Sequence, residues 1–417
     1  MKLLCTLSRI VIGLLFVFSG FSKAIDPVGF GFVITEYLKA LGLDFFTPLA
    51  LMGGVVLPAF EFLLGVSLLV GLQVRLTAFL SMLFMVFFTL FTFWTALANP
   101  VQHCGCFGDA VRLSNWETFI KNLIFTPFTL FLVWQRKRFL PVSLKIWTWG
   151  AMAMFGLVSI LLSVHCYRHL PLIDFTGFKV GNHIPSAMTV PPDAPQHQYE
   201  TTFTYQKGSE VKVFSIDHLP DSSWTFLSAK TRLVKRGAIP EIPNFDVRTY
   251  SGRYFTDSLL SFKGPLMILI IPYADKAQAK ALEKAGTLVG QGAEPPPFIV
   301  LSGSNEEHTT SLLHEHSIDA PFYFSDPKTL YTMIRANPGL MLLYDANVVA
   351  KWSAWDIPSP TSMDNLLAQD WEIVSAKLRI AEHLSMEFFV LILIILLMIL
   401  HPIVHKLHKP RRALHVP

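Results

Sequence analysis

Cys104-Gly105-Cys106-Phe107-Gly108 stands in a short gap between two long apolar stretches, residues 74–97 and 116–134. Those flanking lengths decide the fold, because each is close to the roughly 20 apolar residues that cross a bilayer as one helix. The pentapeptide is then the turn between two membrane helices. It holds half of the four cysteines in 417 residues. A Cys-x-Cys pair closes a very small ring when oxidised, and strained disulfides exchange readily. The loop therefore reads first as a redox centre acting through Cys104 and Cys106. Two plainer readings stand beside it: a static disulfide staple, and a soft-metal site with the adjacent His103. In the redox reading a protonated His103 supports the pair by lowering a neighbouring thiol pKa.

Further apolar runs lie at 10–24, 48–72, 147–164 and 388–400, so six spans are expected. The first is read as a span rather than a cleaved signal, because Lys23 interrupts the small-residue cleavage pattern. If the six alternate, Lys2, Arg9, Arg75, Arg136, Lys137, Arg138, Lys145, Lys406, Lys409, Arg411 and Arg412 fall on one side. The positive-inside rule makes that side, with both termini, cytoplasmic. The cysteine loop and residues 167–382 are then periplasmic, and the protein is a multi-pass protein of the bacterial inner membrane. Its net charge of +4 is explained by these topology charges. Nucleic acid is not an expected partner; the lipid bilayer is.

Within the spans Glu61 is the costly residue, and an intramembrane carboxylate is a functional candidate by default. Protonation or a hydrogen bond between helices are its structural alternatives. Lys23 is expected to snorkel to the outer interface; it pairs with Glu61 only if the second span begins well after Pro48. Cys166 ends the fifth span on the same side as the cysteine loop, placed either to resolve a mixed disulfide or simply to be buried. His165, His169, His314 and His316 lack zinc-like spacing with acids or cysteines, so no metal site is expected.

From Tyr167 onward the composition changes. Residues 199–205 and 211–216 alternate around Gln206-Lys207-Gly208-Ser209, a hairpin signal, and short strands are expected at 224–227 and 231–235. Beyond Ile242 the pattern is α/β: strands at 266–271, 298–301, 321–324, 340–344 and 348–352, and helices at 276–289, 305–316 (capped by Ser304), 328–335 and 363–367.

This order resembles the thioredoxin-like fold, in its membrane-tethered, TlpA-like branch, over residues 240–368. Ile242-Pro243-Asn244-Phe245-Asp246 resembles that branch's opening segment, and Lys263-Gly264-Pro265 its lead-in to the central strand. Asn337-Pro338-Gly339 sits where the family places its cis-proline. The loop after Ile271 reads Pro272-Tyr273-Ala274-Asp275 where redox-active members carry Cys-x-x-Cys, and no cysteine follows Cys166. The resemblance implies partner binding by Tyr273, Ala274, Asp275 and Pro338 without thiol chemistry. In the membrane half, Phe18-Ser19-Gly20-Phe21-Ser22-Lys23 with Asp26-Pro27, Glu61 with Gly65, and the Cys-Gly-Cys-Phe-Gly loop resemble the DoxX-like superfamily, most closely its MauE branch. MauE-like proteins are associated with maturation of a disulfide-rich periplasmic enzyme. Their four-helix plan is similar to the vitamin K epoxide reductase bundle, which implies a membrane quinone as electron acceptor by fold analogy alone.

The expected fold class is an α-helical membrane bundle, a DoxX-like four-helix core plus two further transmembrane helices, with an extracytoplasmic α/β thioredoxin-like domain. The expected divisions are 1–135 for the four-helix part, 136–166 for the fifth span, 167–239 for a β-rich linker region, 240–382 for the thioredoxin-like domain, and 383–417 for the sixth span and basic tail. The expected function is support of thiol–disulfide exchange, or maturation, for an envelope client or redox partner. The competing class is a non-catalytic membrane scaffold whose thioredoxin-like domain binds a periplasmic partner. A transporter, prompted by Glu61, is a weaker third class, since paired broken helices are missing from the pattern.

Overall fold

The computed structural model describes residues 2–101, 105–111, 113–139, 145–191, 193–195, 198–235, 237–290 and 295–408. Its N-terminal part is helical: α1 (Lys2–Ala24), α2 (Pro27–Ala40), α3 (Ala50–Val70), α4 (Val74–Ala98), the short extended segment β1 (Cys106–Asp109), α5 (Asn115–Trp134) and α6 (Lys145–His169). Among the described residues, four helical stretches are long and apolar enough to cross a membrane: Leu3–Ala24, Asp44–Val70, Val74–Ala98 and Trp147–His169. The two other expected spans are helical as well, within α5 and within α13 (Trp371–His408). Glu117, Lys121 and Asn122 make α5 more polar than its neighbours.

A core of Ile12 and Phe16 from α1, Leu64 and Leu68 from α3, Ala78 and Met85 from α4, and Leu132 from α5 joins four helices. The opposite side of α3 packs Phe62 and Val66 on Met152 and Phe155 of α6. Phe389 of α13 stacks on Phe21 of α1 at 5.5 Å. Lipid chains are as apolar as leucine, so helices in a bilayer gain most from close packing of small residues. The α1–α3 contact follows that rule. A Cβ on Gly65 would stand 2.5 Å from the Val17 nitrogen and 2.7 Å from the Gly13 oxygen. One on Gly20 would stand 2.5 Å from the Phe62 nitrogen.

Residues 25–47, the gap between the first two apolar runs, are not a simple loop: most of that stretch is α2. Asp26 caps it, accepting from the Gly29 N–H at 2.8 Å, with Pro27 in the first turn. A 3-10 turn, Asp44–Leu49, then leads into α3.

Beyond α6 come the single turn α7 (Ile184–Ala187) and three antiparallel strands, β2 (Gln198–Lys207), β3 (Glu210–Ser215) and β4 (Thr225–Lys235), in the order β3-β2-β4. The expected hairpin is present, with Lys207 opposite Glu210 across Gly208-Ser209. The two short strands expected after it are one continuous β4.

The α/β part contains α8 (Thr256–Ser261), β5 (Pro265–Ile271), α9 (Ala279–Gly286), β6 (Phe298–Ser302), α10 (Glu306–Glu315), β7 (Phe322–Phe324), α11 (Pro327–Met333), β8 (Gly339–Tyr344), β9 (Asn347–Trp352) and α12 (Pro360–Leu367). The sheet order is β7-β6-β5-β8-β9, with β5, β6 and β7 parallel and β8 and β9 antiparallel to their neighbours. A strand turns alternate side chains to opposite faces. Leu266, Ile268 and Ile270 accordingly enter one core with Met341 and Leu343, while Met267, Leu269 and Ile271 enter the other with Leu340 and Leu342. Both faces are covered, so β5 reads as an unbroken apolar run. The Asn337–Pro338 peptide is cis, as the thioredoxin-like pattern implies. Phe178, Val180 and Ile184, from the stretch read as linker, pack in the first of these cores. Asn305, not Ser304, caps α10, accepting from His308 N–H; the Ser304 hydroxyl accepts from Ala274 N–H at 2.9 Å instead. Helix α9 is shorter than expected, because a 3-10 turn occupies Ala274–Lys276.

Gly65→Ala should force α1 and α3 apart and lower stability by about 1–3 kcal/mol, the usual cost of overpacking. Gly150→Ala, at a helical position with open space around it, should cost nothing. Thermal unfolding of the detergent-solubilised protein measures both, and equal behaviour of the two variants contradicts the close α1–α3 contact.

Candidate functional site

The close approach of α1 and α3 brings three polar side chains together inside an apolar bundle. Lys23 Nζ lies 2.7 Å from both carboxylate oxygens of Glu61. Ser19, one turn before Lys23, places its hydroxyl 2.7 Å from Glu61 Oε2 and 2.9 Å from the carbonyl oxygen of Cys106, and it accepts from Lys23 Nζ at 3.1 Å. One hydroxyl proton is thus shared between the charge pair and the backbone of the cysteine loop. Lys23 is 4 % exposed and Glu61 2 %. The expectation that Lys23 snorkels to the interface fails, and so does the condition set for the pair: α3 starts at Ala50, only two residues after Pro48, yet Glu61 faces the end of α1.

The loop pattern itself has a steric cause. Gly105 and Gly108 have φ of +68° and +57°, in the region that glycine adopts without strain. A Cβ on Gly105 would meet Val33 of α2 at 2.7 Å, and one on Gly108 the carbonyl oxygen of Ser22 at 3.2 Å. Glycine at both positions lets β1 press into the angle between α1 and α2. Phe107 is buried, edge-on to Phe18 at 5.2 Å, with Lys121 4.1 Å over its ring. Cys106 is half-buried. Cys104 and His103 lie outside the described residues.

Cys106, Ser19, Lys23 and Glu61 border one cavity of about 210 Å³. Its other walls are largely aromatic and aliphatic: Phe16, Phe30, Tyr37, Phe84, Phe88 and Phe91, with Lys121 and Asn122 of α5. Cys166 does not border it. That thiol is 1 % exposed among Ala24, Ile25 and Leu162, where a resolving cysteine would lack access.

A second polar node joins the bundle to the α/β part. Arg335, two residues before Asn337, donates to Asp26 Oδ2 at 2.9 Å and Oδ1 at 3.2 Å, and through Nη2 to Asp109 Oδ2 at 2.7 Å. Burial opposes the Arg335 charge, but Asp26, Asp109 and Asp174 outweigh it and hold the guanidinium above its ordinary range. Burial pushes the Asp26 carboxyl up, against the pull of Arg335, and the nearby Asp109 adds to that push. Tyr331 packs on Phe32 of α2 at 4.8 Å and near Tyr273 at 5.9 Å. Lys328 pairs with Glu36 of α2.

The four residues expected to hold a partner are in register with this joint. Asn337 Nδ2 donates to the Tyr273 carbonyl at 2.8 Å, clasping the 272–275 loop to the cis-proline turn. Ala274 and Pro338 are buried and Asp275 is exposed. Tyr273 and Asn337 border a cleft of about 590 Å³ whose other wall is α2, the start of α3 and the end of α6. Sequence reading missed Ser19, Asp109, Arg335 and Tyr331. Ser19 carried a signal as part of the Phe18–Lys23 stretch, and Asp26, the partner of Arg335, through Asp-Pro, a helix-start pair.

Residues 1–135 match the family model for methylamine utilisation protein MauE. This MauE-like region contains the ion pair, the cavity and the cysteine loop. Residues 199–236, which span β2 to β4, match a domain of unknown function, DUF8463. No curated protein matches the chain significantly. Among solved structures the chain is similar to a secreted Mycobacterium tuberculosis disulfide oxidoreductase homologous to E. coli DsbE, at 12% identity over 30% of this chain and 94% of that one, with a TM-score of 0.23. The thioredoxin-like assignment stands on the strand order and the cis-proline. The protein is therefore a multi-pass membrane protein that combines a MauE-like bundle with a redox-fold domain.

Lys23→Met should leave Glu61 buried and unpaired, at a cost of about 3–5 kcal/mol. Lys23→Met with Glu61→Leu should recover most of it, which a double-mutant cycle of unfolding in detergent will read. Additive losses rule out the pair. A separate pH effect is expected at Glu382, which burial pushes up to about 7, with Asp174 adding and Lys351 and Arg379 opposing. A raised carboxyl favours the protonated fold, so its contribution is full below about 4.5, the value for an unfolded Glu, and is lost as pH rises through about 7. Glu382→Gln should thus gain stability over the natural protein at pH 8 and show none of that gain at pH 4.5.

Proposed function

We infer that this protein supports thiol–disulfide exchange in the cell envelope through Cys104 and Cys106. The single observation that carries the reading is the seat of Cys106. Its carbonyl shares the Ser19 proton with a buried Lys23–Glu61 pair, and the residue borders an apolar cavity. Charges in hydrocarbon are expensive and are kept where function needs them. Oxidation of the two thiols to a disulfide forms one S–S bond and releases two electrons and two protons. A membrane quinone taking both becomes a hydroquinone, and the aromatic walls suit its ring. Lys23, Glu61 and Lys121 provide ionisable groups along the same cavity.

The thioredoxin-like domain supplies no thiol, because no cysteine follows Cys166. Its role in this reading is to present an envelope client or redox partner to the cysteine loop, across the Arg335–Asp109 bridge. The protein lies in the inner membrane with both termini cytoplasmic and the large domain periplasmic. Residues 167–239 and 240–382 are both periplasmic in this reading, between the fifth and sixth spans, with Phe178, Val180 and Ile184 of the first stretch packed into the core of the second.

Thiol trapping in membranes tests the proposal. Cys104 and Cys106 should change state with mild reductant, and Cys106→Ser should abolish client oxidation by at least about a hundredfold while the protein stays in the membrane. Full client oxidation by the Cys104→Ser, Cys106→Ser double variant would leave only the scaffold reading.

A further inference from the structure

The cleft between the α/β domain and the bundle has an unbalanced lining. Lys39 at the end of α2, Arg168 at the end of α6, Lys276 and Arg335 border it, and among the described residues no carboxylate does. Arg335 is neutralised by Asp26 and Asp109. No ion pair is formed by Lys39, Arg168 or Lys276 among the described residues. Two of the three are held by aromatic faces instead: Arg168 lies 5.1 Å from the Trp355 ring and Lys276 5.2 Å from that of Tyr273. Such stacking orients a cation without neutralising it.

The floor of the cleft is apolar, formed by Phe32, Pro48 and Leu51. From Leu51 the apolar surface continues outward along α3 through Met52 and Val56, which are 58 % and 55 % exposed. Phe45, in the turn before α3, is 87 % exposed. An apolar track of this kind on a candidate membrane span faces lipid chains. Arg168 also sits in the last turn of a candidate span, at the level where lipid headgroups lie. The site therefore offers unneutralised cations above and an acyl-chain track below.

We propose that this cleft binds an anionic glycerophospholipid, its phosphodiester held by Arg168, Lys276 and Lys39 and its acyl chains lying along α3. Bound there, the lipid bridges the two halves, since Lys276 belongs to the α/β domain and Arg168 and Lys39 to the bundle. The site is separate from the Cys106 cavity, so the proposal stands independently of thiol chemistry.

The full chain, delipidated in a neutral detergent, tests this. Phosphatidylglycerol should raise its unfolding temperature and remain bound in native mass spectrometry, while phosphatidylcholine of the same chains should do neither. Arg168→Gln with Lys276→Gln should weaken phosphatidylglycerol binding about tenfold and leave the unfolding temperature of the lipid-free protein unchanged. Glycerol phosphate alone should bind far more weakly than the lipid; equal binding would assign the site to a free phosphate and overturn the lipid proposal. Equal stabilisation by both lipids overturns it as well, as does an undiminished phosphatidylglycerol effect in the double variant. Should that variant fold poorly, each single substitution is read in the same assay, and selectivity unchanged in both has the same consequence. Binding of an acidic peptide in place of lipid would also refute it.

Discussion

A lysine and a glutamate held out of water between α1 and α3 set the geometry on which the MauE-like half depends. Each charge alone in hydrocarbon is prohibitive, and together they persist because the partners are in contact at 2.7 Å. That contact needs the helix backbones to approach more closely than side chains allow, and Gly13, Gly20 and Gly65 permit it. Ser19 passes the constraint onward, binding the pair on one side and the Cys106 carbonyl on the other. The glycines of the loop complete the fit, since Gly105 and Gly108 let β1 lie against α2 and α1 without a steric cost. A change in the helix contact therefore reaches the cysteine loop through a single hydroxyl.

Arg335 plays the matching role for the α/β domain. Its guanidinium meets Asp26, which caps α2, and Asp109, which ends β1. Two carboxylates against one guanidinium leave a negative excess in a buried place. The Asp26 carboxyl is pushed up first by its burial, with Asp109 adding to that push against the pull of Arg335. The joint thus has little tolerance: loss of Arg335 would leave two adjacent acids unpaired at the base of the cysteine loop. Phe32 and Tyr331 add the apolar part of the same contact.

The readable features of the sequence were those with a local period. Apolar runs of membrane length gave the helices, the unbroken run 266–271 gave the central strand, and Gly208 between alternating segments gave the hairpin. Helix α2 escaped because Gly29, Gly31 and the charges Glu36 and Lys39 blur its apolar face, although its Asp-Pro start is legible. The length of β4 escaped because its polar middle breaks the alternation into two apparent strands. The Lys23–Glu61 pair was legible only as a conditional, and the condition was the wrong one: the pair rests on the close α1–α3 approach at Gly13, Gly20 and Gly65, not on a late start of α3. Arg335 was beyond reach for a different reason: its partners lie 309 and 226 residues away, and no local pattern encodes a contact at that separation.

The cysteine-free loop of the thioredoxin-like domain acquires a meaning from what surrounds it. In place of a Cys-x-x-Cys it carries Pro272-Tyr273-Ala274-Asp275, and Asn337 binds this loop back to the cis-proline turn. The surface that would meet a substrate disulfide is turned toward α2 and the end of α6. Thiols on this loop would face the protein's own bundle rather than open solvent. The chain instead places Cys106 on the bundle side of the joint, on a strand whose last residue, Asp109, is bonded to the domain through Arg335. Under the proposed function, chemistry and recognition are divided between two halves that share one buried cation. Electron transfer then stays beside the apolar cavity, while the domain remains free to change partner contacts without altering the thiols.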